Sequence, residues 1–171
     1  MTIILGIDPG SRITGYGVIK ESQQTLSYID SGCIRTSEGE LSQRLLEIFN
    51  GICQLMEEHS PNEVAIEEIF MHQNPSSALK LGHARGVAMV ACASHRVKVC
   101  EYSAREVKQS VVGYGAAEKS QVKHMVVSLL KLNSSPQNDA ADALAVAICH
   151  SHMRNKLYAK LPRQGRRRIS V

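Results

Sequence analysis

Apolar and polar positions along the chain alternate between two periods, which separate strand-like from helix-like segments. Thr2–Asp8 is an apolar, β-branched run that stops at Pro9-Gly10, the pattern of a buried strand entering a tight turn. Thr14–Lys20 and Leu26–Thr36 are two further strand-like runs on short links, which predicts an antiparallel three-stranded meander. Leu41, Leu45, Ile48, Phe49, Ile52, Leu55 and Met56 then recur at three- and four-residue spacing, a single apolar stripe that predicts a helix over Leu41–Glu58. Asn62–Phe70 reads as a short central strand, Ser76–Ser94 as a helix rich in small residues, and Val97–Tyr102 as a fifth strand. Ala104–Val112, Glu118–Leu132 and a segment from Pro136 to about Met153 read as helices. A meander followed by β-α units predicts an α/β fold, a mixed five-stranded sheet flanked by helices.

Against this pattern, acids stand at several positions where acids are costly. Asp8 ends the apolar first strand. Glu67 and Glu68 interrupt another apolar strand, and Asp139 and Asp142, three apart, share one face of an Ala/Leu/Val/Ile helix. No Lys or Arg lies within three residues of any of them. Each alone has an ordinary reading: a turn residue, or a pair complementing a helix dipole. Together they form an oxygen-only donor set of the kind Mg²⁺ or Mn²⁺ selects. Carboxylates from two strands and a helix suit two ions about 4 Å apart, an arrangement for in-line displacement at a phosphodiester. Strand alternation sends Glu67 and Glu68 to opposite faces, and spacing does not choose between them.

Length and charge narrow the classes. A chain of 171 residues is one domain, or one domain with a tail. The division expected is a body over residues 1–153 and a basic, disordered tail over 154–171. The formal net charge is +4, but the body sums to −3 and the tail to +7, while residues 79–135 alone carry +6. With no Trp, two Phe and five Tyr, an aromatic platform for single strands is excluded. Five widely spaced cysteines without a C-x-x-C suit reduced thiols, small core residues in a cytoplasmic protein, better than disulfides or zinc. The longest apolar run, Gly86 to Ala93, is too short for a membrane span. His150 and His152, two apart on a helix, face different ways and do not share a metal; His124 reads as a surface residue.

The Gly6–Gly17 region has a second possible meaning, since strand-Asp-glycine turns cradle phosphates in the sugar-kinase, actin and Hsp70 ATPases. Those need two lobes, and this chain is too short for them. Gly6-Ile7-Asp8-Pro9-Gly10-Ser11-Arg12-Ile13-Thr14-Gly15-Tyr16-Gly17 instead resembles the opening of the bacterial Holliday junction resolvase family, RuvC. The same family is resembled by Ala65–Phe70, Ala78–Val87, Val107–Gly113, Ala117–Val122 and Asn138–Ala145, in order, over roughly residues 2–152.

The resemblance implies a ribonuclease H-like fold and a homodimeric, Mg²⁺-dependent endonuclease, acting in DNA recombination and repair. It would resolve four-way DNA junctions by paired symmetric nicks that leave 5′-phosphate and 3′-hydroxyl ends. It implies Asp8, Glu67, Asp139 and Asp142 as catalytic metal ligands for two Mg²⁺, with Mn²⁺ as a substitute, and so selects Glu67 over Glu68. It places Phe70 where an aromatic ring stacks on bases at the crossover, and Lys108 and Lys119 near the phosphate path. Arg85 and Lys123 join the local basic track as phosphate contacts. The Gly82-x-x-x-Gly86 helix becomes a candidate dimer surface, although packing on its own sheet is the plainer reading of those glycines. A branch-migration helicase complex is an implied partner. Two alternatives stand beside this: an RNA-cleaving enzyme of the same fold, and a non-catalytic junction-binding protein.

Overall fold

The computed structural model describes residues 1–68 and 75–160, with side chains given through Asn155. Its elements are β1 (Thr2–Asp8), β2 (Ile13–Ser22), β3 (Thr25–Arg35), α1 (Leu41–His59), β4 (Glu63–Glu67), α2 (Pro75–Ser94), β5 (Val99–Tyr102), α3 (Ala104–Val112), α4 (Lys119–Leu130) and α5 (Asn138–Lys160). The five strands form one sheet in the order β3-β2-β1-β4-β5. The meander pairs are antiparallel, and β1–β4 and β4–β5 are parallel. The mixed sheet expected from the pattern is therefore present, with β1 at its centre.

Alternation along β1 and β4 sorts side chains between two cores. Leu5, Ile7, Val64 and Ile66 pack with α1 and α2 residues such as Ile48, Ile52, Ala84 and Ala88. Ile4 and Ala65 pack on the other face with Leu144, Ile148 and residues of α3 and α4. By the same alternation Asp8 and Glu67 belong to the α5 face. Ala140 through Ser151 are buried except Asp142, which is half-buried; α5 is enclosed between the sheet and α3–α4. A helix apolar on every side is what its composition predicts for that place.

Glycine lets α5 come down onto the strands. Gly6 and Gly17 face each other across β1–β2, and Gly15 pairs with Asp8. A Cβ on Gly6 would lie 2.1 Å from the Ala143 carbonyl oxygen, and one on Gly15 would lie 2.0 Å from that of Asp139. The helix backbone thus rests on bare strand backbone, which carries Asp139 and Asp142 to the end of β1.

The helix also runs further than its sequence pattern predicts. It continues to Lys160, and Arg154 and Asn155 are tied to the body: Arg154 to Glu63 (3.0 Å) and Asn155 to Glu21 (2.9 Å). Those acids lie at the far ends of β4 and β2. The polar residues there meet two acids, Glu21 buried and Glu63 half-buried. Residues 161–171, including the Arg166–Arg168 run, lie outside the described residues.

Candidate active site

Three elements deliver the acids. Asp8 closes β1, and Glu67 closes β4 one step beyond the Ile7–Ile66 pair of the parallel ladder. Asp139 and Asp142 lie in the first turns of α5, on the approach that Gly15 permits. In the turn after β1 the Thr14 hydroxyl donates to the Gly10 carbonyl (2.9 Å) and fixes the chain as it leaves Asp8.

The other three carboxylates act on Asp8, and Asp142 acts on Glu67. Burial pushes the Asp8 carboxyl up to about 8, and the negative charges of Glu67, Asp142 and Asp139 add to the shift, against Lys119. Burial and then Asp142 also raise Glu67, while Lys119 and Lys108 pull it back. Glu68 is exposed and lies on the other side of the alternation. Of the two adjacent acids, Glu67 is the half-buried one whose charge acts on Asp8.

Two lysines answer these charges. Lys119 Nζ sits 2.7 Å from Asp142 Oδ2, and that hydrogen bond chiefly raises the Lys119 pKa. Lys119 occupies the first turn of α4, where Glu118 and Gln121 form a capping box. Lys108 lies on α3, which starts directly after β5 with its own box, Ser103 and Glu106. Glu67, Lys108, Lys119 and Asp142 line a cavity of about 140 Å³. Larger hollows of about 530 and 550 Å³ lie between β3 and the end of α4, and hold none of the four acids.

The acids fit a hard divalent cation by chemistry: every side-chain donor is a carboxylate oxygen, and a buried anionic cluster needs positive charge. They are neighbours rather than a closed cage. Among the described residues, no three or more His, Cys, Asp or Glu side chains stand in a group that could hold a metal ion. The Lys119 ammonium is the cation in direct contact with Asp142.

The other expected site residues fall in different places. Lys123 lies one turn beyond Lys119 on α4 and donates to Asn138 Oδ1 (2.9 Å), at the start of α5. Arg85 is on the α1–α2 face, where it reaches the Glu67 carbonyl and Glu101. Phe70 lies outside the described residues. Gly82 and Gly86 face open space rather than the sheet.

Two neighbours escaped the sequence reading. The Cys33 thiol is raised by burial and then by Asp139, with Asp8 also acting on it; only the register Cys33–Gly15–Asp8 across three strands reveals that proximity. Tyr102 pairs with Glu67 and hydrogen-bonds His150 (2.8 Å), which in turn reaches Glu63 (2.7 Å). His150 is buried in that chain of bonds.

A mixed sheet with clustered carboxylates at the end of its central strands defines the class: a nuclease of ribonuclease H-like fold. Residues 4–150 match the family model "Crossover junction endodeoxyribonuclease RuvC". The RuvC of Legionella pneumophila (strain Lens) is 74% identical over 169 residues, covering 98% of this chain and 97% of that one. That of Tolumonas auensis is 60% identical over 157 residues, covering 92% and 91%. The solved structure of Thermus thermophilus RuvC in complex with Holliday junction substrate superposes with a TM-score of 0.86 at 30% identity, over 91% of this chain and 96% of that one. The chain belongs to the RuvC family of Holliday junction resolvases and is an endodeoxyribonuclease. Members of this family are divalent-metal-dependent nucleases. No helix among the described residues is long and apolar enough to cross a membrane.

Proposed function

We propose that the protein cuts four-way DNA junctions with Asp8, Glu67, Asp139 and Asp142 as its catalytic acids. The observation that carries this is the mutual charge of the four: three of them raise the Asp8 carboxyl beyond what burial does. They would hold two Mg²⁺, with Asp8 shared and Mn²⁺ as a substitute. When bound, the ions supply Lewis-acid activation of water and charge stabilisation at the leaving oxygen. The protein's part is to keep the carboxylates converged on two rigid strand ends and the first turns of α5, and to place Lys108, Lys119 and Lys123 along the phosphate path. Phosphate contacts of this kind fix register without reading bases. Phe70, two residues past Glu68, would stack on the opened crossover.

A homodimer is supported by α2. Leu79 (66% exposed) and Val90 (60% exposed) align with Gly82 and Gly86 at helical spacing, and a Cβ on either glycine would meet nothing within 4 Å among the described residues. A two-fold dimer presents two equivalent sites to a two-fold junction, which gives paired symmetric nicks. The junction DNA, a cytoplasmic location and a branch-migration helicase complex belong to the same reading.

The test sets a mobile four-way junction, a linear duplex and an RNA/DNA hybrid side by side with Mg²⁺, Ca²⁺ or EDTA, for the parent and Asp8→Asn. Symmetric junction nicks with Mg²⁺ alone, absent in an Asp8→Asn protein that still binds the junction, are expected. Preferential cleavage of the hybrid would replace this reading with an RNA-cleaving one, and a lack of metal-dependent nicking would leave a binding protein.

A further inference from the structure

The parallel ladder between β1 and β4 ends one pair short of the carboxylates, at Ile7–Ile66. The Val64 N–H donates to the Lys98 carbonyl and the Glu68 N–H to the Tyr102 carbonyl, so even-numbered residues of β4 turn their main-chain groups to β5. Odd-numbered ones, Glu67 among them, turn theirs to β1. Continued pairing would bring the N–H of residue 9 to the Glu67 carbonyl. Residue 9 is proline and has none. A main-chain acceptor inside a fold needs a partner, and here the donor is Arg85 Nε, 3.1 Å away. The guanidinium comes from α2, and its outer nitrogen is paired with Glu101 of β5. Its planar fork holds the carbonyl and the carboxylate together, which a lysine ammonium does less well.

We infer that Arg85 is a positioning residue for Glu67. It supplies the donor that Pro9 withholds, pins the end of β4, and keeps the Glu67 carboxylate beside Asp8 from the opposite face of the sheet. Glu101 holds the guanidinium in place. The inference rests on the reading of Glu67 as a catalytic acid.

Pro9 offers a rescue that separates this role from phosphate contact. Cleavage by the full chain is measured for the parent, Arg85→Met, Arg85→Met with Pro9→Ala, and Glu67→Gln. Junction affinity is measured by anisotropy in EDTA across a salt series. Arg85→Met is expected to lower kcat roughly 10- to 100-fold, the usual loss when a supporting partner of a metal ligand is removed. Junction affinity and its salt dependence are expected to stay at parental values. Adding Pro9→Ala returns an N–H at residue 9 and is expected to recover much of the lost rate.

A fall in affinity matching the fall in rate, with the salt slope reduced by about one, would make Arg85 a phosphate contact and overturn the inference. So would a double variant no faster than Arg85→Met. Full activity in Arg85→Met with an inactive Glu67→Gln refutes this inference alone; full activity in Glu67→Gln refutes the site reading beneath it. If Arg85→Met does not fold, Glu101→Gln takes its place: a lower kcat at parental affinity supports the inference, and parental kcat overturns it.

Discussion

Gly15 lies under the main chain of Asp139 so closely that a Cβ there would come within 2.0 Å of the Asp139 carbonyl oxygen. Neither backbone group can swing aside as a side-chain tip would. Gly15→Ala is therefore expected to cost about 3 kcal/mol or more, at the upper end of overpacking effects. It is also expected to suppress cleavage beyond its effect on folding, because Asp139 moves with the helix. Thermal denaturation and single-turnover cleavage below the melting transition check the two parts, and a stable, fully active Gly15→Ala would sink the packing argument.

Strand alternation separates two adjacent acids. Glu67→Gln is expected to lose at least ~100-fold in kcat, the scale of losing one charged group from a catalytic centre, with junction binding retained. Glu68→Gln, on the exposed side, is expected to cleave at the parental rate. Equal losses in both would contradict the assignment of faces.

The Asp8 carboxyl, held at about 8 against an ordinary 3.8, ties stability to pH. Between those values the folded, metal-free protein keeps a proton that the unfolded chain releases. The stability this provides is complete below about pH 4 and is lost as pH rises through 8. Asp8→Asn has no such titration. In EDTA it is expected to melt above the parent at pH 8, with little difference at pH 4. Saturating Mg²⁺ is expected to narrow or reverse the gap by binding the folded parent. Calorimetry in EDTA checks this, and an Asp8→Asn protein less stable than the parent at pH 8 would refute it.

The Lys119 ammonium on Asp142 competes with any cation that uses the same oxygen. Lys119→Met is expected to bind Mn²⁺ roughly two- to fivefold more tightly in the absence of DNA, matching the about 0.2–1 kcal/mol of an exposed ion pair. Junction cleavage is expected to fall, because a phosphate contact is gone. Titration calorimetry and the cleavage assay read the two directions separately, and weaker Mn²⁺ binding would contradict the competition.

Periodicity along the chain determined the elements of the fold. The ends of β1 and the bounds of α3 stand where the apolar runs place them, because burial on one face and turn chemistry at the ends are local properties. The four acids were also visible, since a charge in an apolar run is costly wherever the run folds. Tertiary structure decided what local pattern does not carry. It set Glu67 beside Asp8 and left Glu68 exposed through the two faces of β4, placed Cys33 by Asp139 through register, and carried α5 on to Arg154 and Asn155, which meet distant acids. It also brought Arg85 to the Glu67 carbonyl, across from a proline that has no N–H. Each depends on groups from separate strands and helices meeting, and such meetings are set by pairing and packing rather than by neighbours in the chain.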